Sequence, residues 1–289
     1  MYAPEFDYHR AGSVAEAAEL LSKHPDSKLL AGGHSLIPIL KVRLASPSAL
    51  IDIGRIDSLR GISSDGGTIR IGSLTTHAEL ASSEVLNVAA TALSEAAGMI
   101  GDPAVRNRGT IGGNVAHADP ASDLPAVLAC LGAEFVISGP EGERTVGASD
   151  FFEGLMTTAV GEQDILTRIE VPASGPGEGS AYAKFAHPAS RYAVIGAAAR
   201  IASSGGTCTG ASVALGGLVP APVRAGAVEQ ALVGGPLTEE SIAAASSAVA
   251  DGLDDDEVLG DVYASAGYRK AVAHIWVRRA ITAAAGRSG

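Results

Sequence analysis

The sequence predicts an α+β protein built from more than one domain. Its 289 residues exceed the usual size of a single domain and suffice for a sizeable core. Short strand-like apolar runs alternate with Ala-rich stretches of helical period. A Gly/Pro-rich passage without period, PASGPGEGS at 172–180, then separates this region from a run of strands.

Each element has a local reason. Ser13-Val14-Ala15-Glu16 has capping-box spacing and opens a helix at about 13–24. KLLAGG and SALIDIG are short, apolar and bounded by turn formers, which suits two strands flanking the crossover LIPILKVRLA. TIRIGSLTT alternates as a strand, and THAELASSEVL and NVAATALSEAAGMI read as two helices. Asp123-Leu124-Pro125 places an N-cap and a first-turn proline before the helix PAVLACLG. EFVISG and DILTRIEVP are strands, with a loop and a short FFEGL segment between them. Beyond the linker, AYAKFAH, AVIGAAARIAS and CTGASVALGGL are strands, the last two joined as a hairpin at Ser204-Gly205-Gly206. Helices at about 238–251, capped by Thr238, and at 266–285 complete an α+β module. No internal repeat is visible. The expected domains are residues 1–58, a small α/β unit, residues 59–176, a larger α+β unit, and residues 177–289.

Composition removes several classes of function. The formal charge of −11, from 32 acids against 21 bases, is spread along the chain and argues against nucleic acid. No apolar run approaches the roughly 20 residues of a membrane-spanning helix. The segment MYAPEFDYHRAGS carries acids and no apolar core, so it reads neither as a secretory signal nor as a transit peptide, and a cytoplasmic location is expected. Two cysteines, Cys130 and Cys208, cannot build a disulfide framework, a four-cysteine zinc site or an all-cysteine iron–sulfur cluster. Cys130, inside AVLACLG, reads as a small buried hydrophobe.

Two glycine pairs stand out: Ala31-Gly32-Gly33-His34-Ser35 and Thr110-Ile111-Gly112-Gly113-Asn114. Glycine permits positive φ and close backbone approach, so successive N–H groups can converge on an anion such as a pyrophosphate. Ordinary tight turns are the plainer reading of each pair. Neither pair is a G-x-G-x-x-G dinucleotide fingerprint or a P-loop, and Ser35 lacks the second glycine of a hydrolase elbow. His34, His77, His117, Asp102, Asp119 and Asp123 lack the H-x-x-x-H or H-E-x-x-H spacing that would set two metal ligands on one face. Asp123 suits either an N-cap or an acceptor for ribose hydroxyls, and the two roles are compatible. Arg106 and Arg108 read as solvated charges or phosphate helpers.

Taken together, LLAGGHSLIPILKVRLASPSALIDI, VRNRGTIGGNVAHADPASDLPAVLACLGA, DILTRIEVP, YAKF and YRKAVAHIWVRRAI resemble the FAD-binding medium subunit of the molybdenum hydroxylases, the xanthine dehydrogenase and carbon monoxide dehydrogenase group. The resemblance covers nearly the whole chain. It implies a two-lobed FAD-binding fold of the vanillyl-alcohol-oxidase (PCMH) type, followed by a C-terminal α+β domain with a three-stranded antiparallel sheet. It also implies FAD between the lobes, with Ala31, Gly32, Gly33, His34 and Ser35 as one pyrophosphate loop and Thr110, Ile111, Gly112, Gly113 and Asn114 as the other. On the same basis Asp123 matches an acid near the ribose, Leu166 a position beside the isoalloxazine, and Lys184 a flavin-proximal lysine. Tyr192 matches a lid on one face of the ring, where its aromatic body would suit stacking, although a buried tyrosine is also a common core residue.

No catalytic and no metal-ligating residue is expected in this chain. The resemblance puts the [2Fe–2S] clusters in a small partner subunit and the molybdenum cofactor in a large one, in a dimer of heterotrimers. Electrons would pass from the nearer cluster to a quinone, NAD or another acceptor. The AGGHS form of the first loop and Tyr192 favour the carbon monoxide dehydrogenase branch; aldehyde, xanthine and quinoline- or nicotine-type dehydrogenases share most of these residues. The rival readings are a stand-alone FAD oxidoreductase and a non-catalytic nucleotide-binding scaffold.

Overall fold

Three sheets, each with its own helices, set up the molecule; the computed structural model describes residues 2–289. The first sheet holds β1 (Asp7–Arg10), β2 (Lys28–Leu30) and β3 (Ala49–Asp52), all parallel, with β3 in the middle. Helix α1 (Val14–Lys23) joins β1 to β2, and α2 (Leu36–Lys41) makes the crossover from β2 to β3. The start of α1 is capped by Ser13, whose Oγ accepts from Glu16 N at 3.1 Å. Glu16 reaches back to Gly12 N at 2.7 Å rather than to the cap residue itself. Strand β1 was not anticipated: DYHR is polar, largely exposed and carries no apolar alternation.

The second sheet is antiparallel, in the order β4-β5-β10-β6-β7. Its strands are β4 (Ile62–Asp65), β5 (Thr68–Gly72), β6 (Glu134–Gly139), β7 (Gly142–Gly147) and β10 (Ile165–Pro172). Between β5 and β6 run α3 (His77–Ser82), α4 (Glu84–Ala89), α5 (Thr91–Met99), α6 (Pro103–Arg106), α7 (Ile111–His117) and α8 (Leu124–Leu131). THAELASSEVL is therefore two short helices, because Ser83 caps α4 through Leu86 N at 3.3 Å and stops α3 there. After β7 come α9 (Ala148–Phe151) and the small hairpin of β8 (Phe152–Gly154) and β9 (Thr157–Thr158). Phe135 stacks on Phe151 at 3.8 Å in the core under this sheet. Burial of each such ring contributes roughly 2–3 kcal/mol.

The third sheet runs β11 (Glu178–Ala186), β12 (Ala193–Ser204), β13 (Thr207–Gly216), β14 (Val223–Arg224). It has four strands rather than the expected three, because β14 is only two residues long, too brief to leave a pattern in the sequence. The β12–β13 hairpin turns at Gly205 and Gly206, both at positive φ (57° and 81°), as the sequence required. Helices α10 (Gly226–Leu232), α11 (Glu239–Ser246) and α12 (Ala266–Ala285) complete the domain. The expected helix at 238–251 closes early, with a 3₁₀ turn over Ser247–Ala250.

Strand β12 explains its own alanines. Ala197 and Ala199 face the C-terminal core, while Ala198 on the opposite face joins the core of the second sheet. Small side chains on both faces let this strand lie between two helical layers. The C-terminal sheet is thus packed against the region that carries the second glycine pair. Among the described residues no helix is long and apolar enough to cross a membrane.

One buried charge ties the C-terminal domain together. Arg269, 6% exposed, donates to Ala264 O (3.1 Å), Val194 O (3.2 Å), Gly217 O (2.8 Å) and Asp261 Oδ2 (2.6 Å). Arg269→Met removes the donor to Val194 O and Gly217 O and the partner of the Asp261 carboxylate, while Ala264 O keeps the Asp261 N–H, and is expected to destabilise the chain by roughly 3 kcal/mol in denaturant melts. An unchanged midpoint would contradict that role.

Candidate functional site

The two glycine bends, about 80 residues apart in sequence, touch. A Cβ on Gly32 would lie 2.7 Å from the carbonyl carbon of Arg108, and one on Gly113 would lie 4.0 Å from Ala31 Cβ. Gly32 is therefore bare so that the first bend can nest against the chain entering the second. Gly33 follows at φ 76°, a conformation that glycine adopts freely. Among the described residues, the N–H groups of Gly32, Gly33, His34 and Ser35 meet no protein acceptor, and all four residues line one cleft. His34 is held through Nε2, 3.0 Å from Ala104 O.

The second bend is built differently from the expectation. Its glycines open α7 rather than ending a strand, with Thr110 as N-cap. Ile111 N donates to Thr75 O (2.9 Å), Gly112 N to Ser73 O (2.8 Å), Gly113 N to Thr110 Oγ1 (3.1 Å) and Asn114 N to Thr110 O (3.0 Å). The expectation that a pyrophosphate sits against the N–H groups of Gly112 and Gly113 is thus corrected: those groups are already satisfied. Gly112 lacks a side chain because a Cβ there would meet Ser73, 2.7 Å from its carbonyl oxygen. What this bend offers to the cleft is side chains. Asn114 Nδ2 donates to Ser122 Oγ at 2.6 Å, while Asn114 Oδ1, Ser73 Oγ and His77 Nδ1 are buried at the cleft wall without partners. Buried polar atoms are almost always hydrogen-bonded, so three orphans among the residues of one cleft are unusual.

Asp123 holds the N-cap position of α8, with Pro125 in the first turn as expected, but its backbone is helical and its side chain makes no capping bond. Instead its Oδ1 accepts from Tyr182 OH (2.6 Å) and its Oδ2 from Lys184 Nζ (2.8 Å), with Lys184 also reaching Met99 O at 3.3 Å. Burial outweighs the opposing pull of Lys184, Tyr182 and Arg191, so the Asp123 carboxyl is pushed above the usual carboxylate range. Tyr192, half-exposed on the loop between β11 and β12, has its phenol pushed up by burial beside Asp119 and Asp123.

The cleft measures about 1310 Å³ and is lined from all three sheets' neighbourhoods. That exceeds the roughly 300–1,000 Å³ of ordinary small-molecule sites and suits a long dinucleotide. The structure brings Ala31, Gly32, Gly33, His34, Ser35, Thr110, Gly112, Gly113, Asn114, Asp123, Leu166 and Tyr192 to its wall. Ile111 is buried in the core instead, and Lys184 stands behind Asp123. Sequence reasoning missed Ser73 and His77 as wall residues, and also Met156 and Arg191, non-glycine residues at φ 52° and 61° on the cleft. Arg106 donates to Ile100 O (2.9 Å) and Gly101 O (3.2 Å), so it braces a turn. Cys130 is buried, and burial pushes its thiol up to about 11. Among the described residues no three His, Cys, Asp or Glu side chains gather as a metal site.

Two lobes, one α/β and one α+β, whose bends meet beside a large cleft of free amides and orphaned polar atoms, with a third domain against it, define a two-lobed dinucleotide-binding flavoprotein. Residues 4–174 match the model of the FAD binding domain in molybdopterin dehydrogenase, and residues 180–284 that of the CO dehydrogenase flavoprotein C-terminal domain. The chain belongs to the FAD-binding flavoprotein subunits of the molybdopterin dehydrogenases, or molybdenum hydroxylases. It is 42% identical to the carbon monoxide dehydrogenase medium chain of Hydrogenophaga pseudoflava over 98% of each chain. It is 36% identical to the glyceraldehyde dehydrogenase medium chain of Sulfolobus acidocaldarius over 97% of this chain and 98% of the other. A chain of the solved carbon monoxide dehydrogenase from Hydrogenophaga pseudoflava superposes with a TM-score of 0.94 at 43% identity, over 99% of both.

Two outcomes follow from the wall. Gly112→Ala is expected to lower stability by about 1–3 kcal/mol through the clash with Ser73, seen as a lower melting temperature with or without FAD. A variant as stable as the parent would contradict this packing. His77 is buried, with Nδ1 unpartnered, and burial pulls its imidazole down from 6.5 to about 4. The unfolded chain therefore binds the proton first. Stability is full above pH 6.5 and falls as the pH drops toward 4, by about 3 kcal/mol across that window. His77→Leu should flatten this limb of the stability–pH curve; an unchanged slope would assign it to other groups.

Proposed function

We propose that this chain is the FAD-carrying electron-transfer subunit of a molybdenum hydroxylase that oxidises carbon monoxide. The observation that carries the flavin part is the row of unpartnered N–H groups from Gly32 to Ser35, locked against the second bend beside orphaned Asn114 Oδ1. Such a row suits a diphosphate, which brings many acceptor oxygens and negative charge. The 42% identity to a carbon monoxide dehydrogenase medium chain supports the substrate, since the relative at 36% serves glyceraldehyde.

In this reading FAD supplies the exchange between one-electron and two-electron chemistry, and the chain supplies position and environment. Gly32, Gly33, His34 and Ser35 bind the diphosphate through their N–H groups, and Asn114 adds its side chain. Asp123 accepts from a ribose hydroxyl. Leu166 offers the isoalloxazine an apolar surface that excludes water, and Tyr192, at the cleft rim, covers one face of it. None of these side chains is asked to form or break a covalent bond.

Two kinds of partner complete the unit in this reading: an iron–sulfur small subunit that feeds electrons in and a molybdopterin-binding large subunit that oxidises the substrate. The assembly is a cytoplasmic dimer of heterotrimers, with a quinone or NAD as the final acceptor. The lobes divide near residues 58 and 176, as the sequence pattern suggests.

The test is purification of the chain with its partner subunits, followed by anaerobic addition of carbon monoxide. Bleaching of the flavin absorbance by carbon monoxide is expected. Bleaching by an aldehyde or a purine, with none by carbon monoxide, would overturn the substrate. Asn114→Leu in the same complex should lower flavin occupancy at least about tenfold while the subunits still assemble; full occupancy would remove Asn114 from the site.

A further inference from the structure

We infer that Tyr182 and Lys184, two residues of the C-terminal sheet, are positioning residues that hold Asp123 as an oriented carboxylate at the cofactor cleft. The C-terminal domain is thereby an obligatory part of the flavin site. The inference rests on the FAD reading of the cleft and adds to it which domain controls the acid.

Tyr182 and Lys184 sit at i and i+2 on β11, so their side chains leave the same face of the sheet. Both end on one carboxylate, the hydroxyl on Oδ1 and the ammonium on Oδ2, at 2.6 and 2.8 Å. Lys184 and Asp123 are nearly sealed from water, at 3% and 5% side-chain exposure. A carboxylate in such a place survives as an ion only while a cation and donors compensate its lost hydration. The sheet is cut to fit this arrangement. Gly196 lies opposite Lys184 on β12, and a Cβ there would overlap the Tyr182 hydroxyl. Glu95 of α5 fixes the same strand by accepting from Tyr182 N at 3.0 Å and pairing with Arg287.

The charged and titratable groups around Asp123 come from a few elements. Lys184 and Tyr182 face it from β11, and Arg191 and Tyr192 from the loop before β12. Asp119 lies on the segment before α8 and acts on the same tyrosine. Arg191 is on the exposed rim, so Lys184 is the buried cation of the set. Each free lone pair of an Asp123 ion can accept from a ligand hydroxyl at the cleft; a protonated Asp123 competes as a donor.

The experiment uses the complex with its partner subunits, stripped of flavin and titrated with FAD between pH 6 and 9 by flavin fluorescence. The parent is expected to bind with little dependence on pH. Lys184→Met should bind about tenfold or more weakly at pH 6 and recover toward pH 9, by up to about tenfold per pH unit as Asp123 loses its proton. Asp123→Asn should be weak at every pH, and Lys184→Met/Asp123→Asn no weaker than Asp123→Asn alone. Tyr182→Phe and Gly196→Ala keep the ion pair and should each weaken binding several-fold; they decide the matter if Lys184→Met does not fold. Parent-like binding by Lys184→Met, or a loss independent of pH, would overturn the inference. A parent complex that takes up no FAD would instead overturn the FAD reading itself, and this inference with it.

Discussion

The contact on which the site depends is backbone against backbone: Gly32 pressed onto the carbonyl of Arg108. No side chain fits between the two bends, so the first lobe can approach the second only through a glycine at this point. Gly32 to Ser35 line the cleft with N–H groups that meet no protein acceptor, while the second bend spends its own on Ser73, Thr75 and Thr110. The two glycine motifs look alike in sequence but do different work: one presents donors and the other forms the buried wall that holds them in place.

The cleft is a property of three regions together. The first sheet supplies the free amides, the second supplies Ser73, His77 and Leu166, and the third reaches in through Tyr182 and Lys184 and through the Tyr192 loop. Polar atoms left unsatisfied in a packed interior are costly, roughly 1–3 kcal/mol each. The molecule keeps three of them on one wall.

Much of this was legible from residues alone. Ser13 and Glu16 marked the start of α1, Gly205 and Gly206 the hairpin, and AGYRKAVAHIWVRRAITAAA the full span of α12. What stayed hidden was what depends on partners distant in sequence. Strand β1 forms because β3 offers it an edge, not because DYHR has strand character, and β14 exists through two pairings with β13. The wall roles of Ser73 and His77 could not be read because neither sits in a motif. The glycine pairs were recognised, yet the cause of Gly112 was misassigned: sequence shows that a side chain is missing, not whether a ligand or Ser73 takes its place. Asp123 before Leu-Pro looked like a cap, and its partners turned out to lie 59 and 61 residues away.

The most direct measurement is a crystal structure of the flavin-loaded complex. The geometry predicts the diphosphate oxygens within hydrogen-bond distance of the Gly32, Gly33, His34 and Ser35 N–H groups, with the second bend still bonded to Ser73 and Thr110. A diphosphate held elsewhere in the cleft, with those four amides facing solvent or another part of the chain, would contradict it.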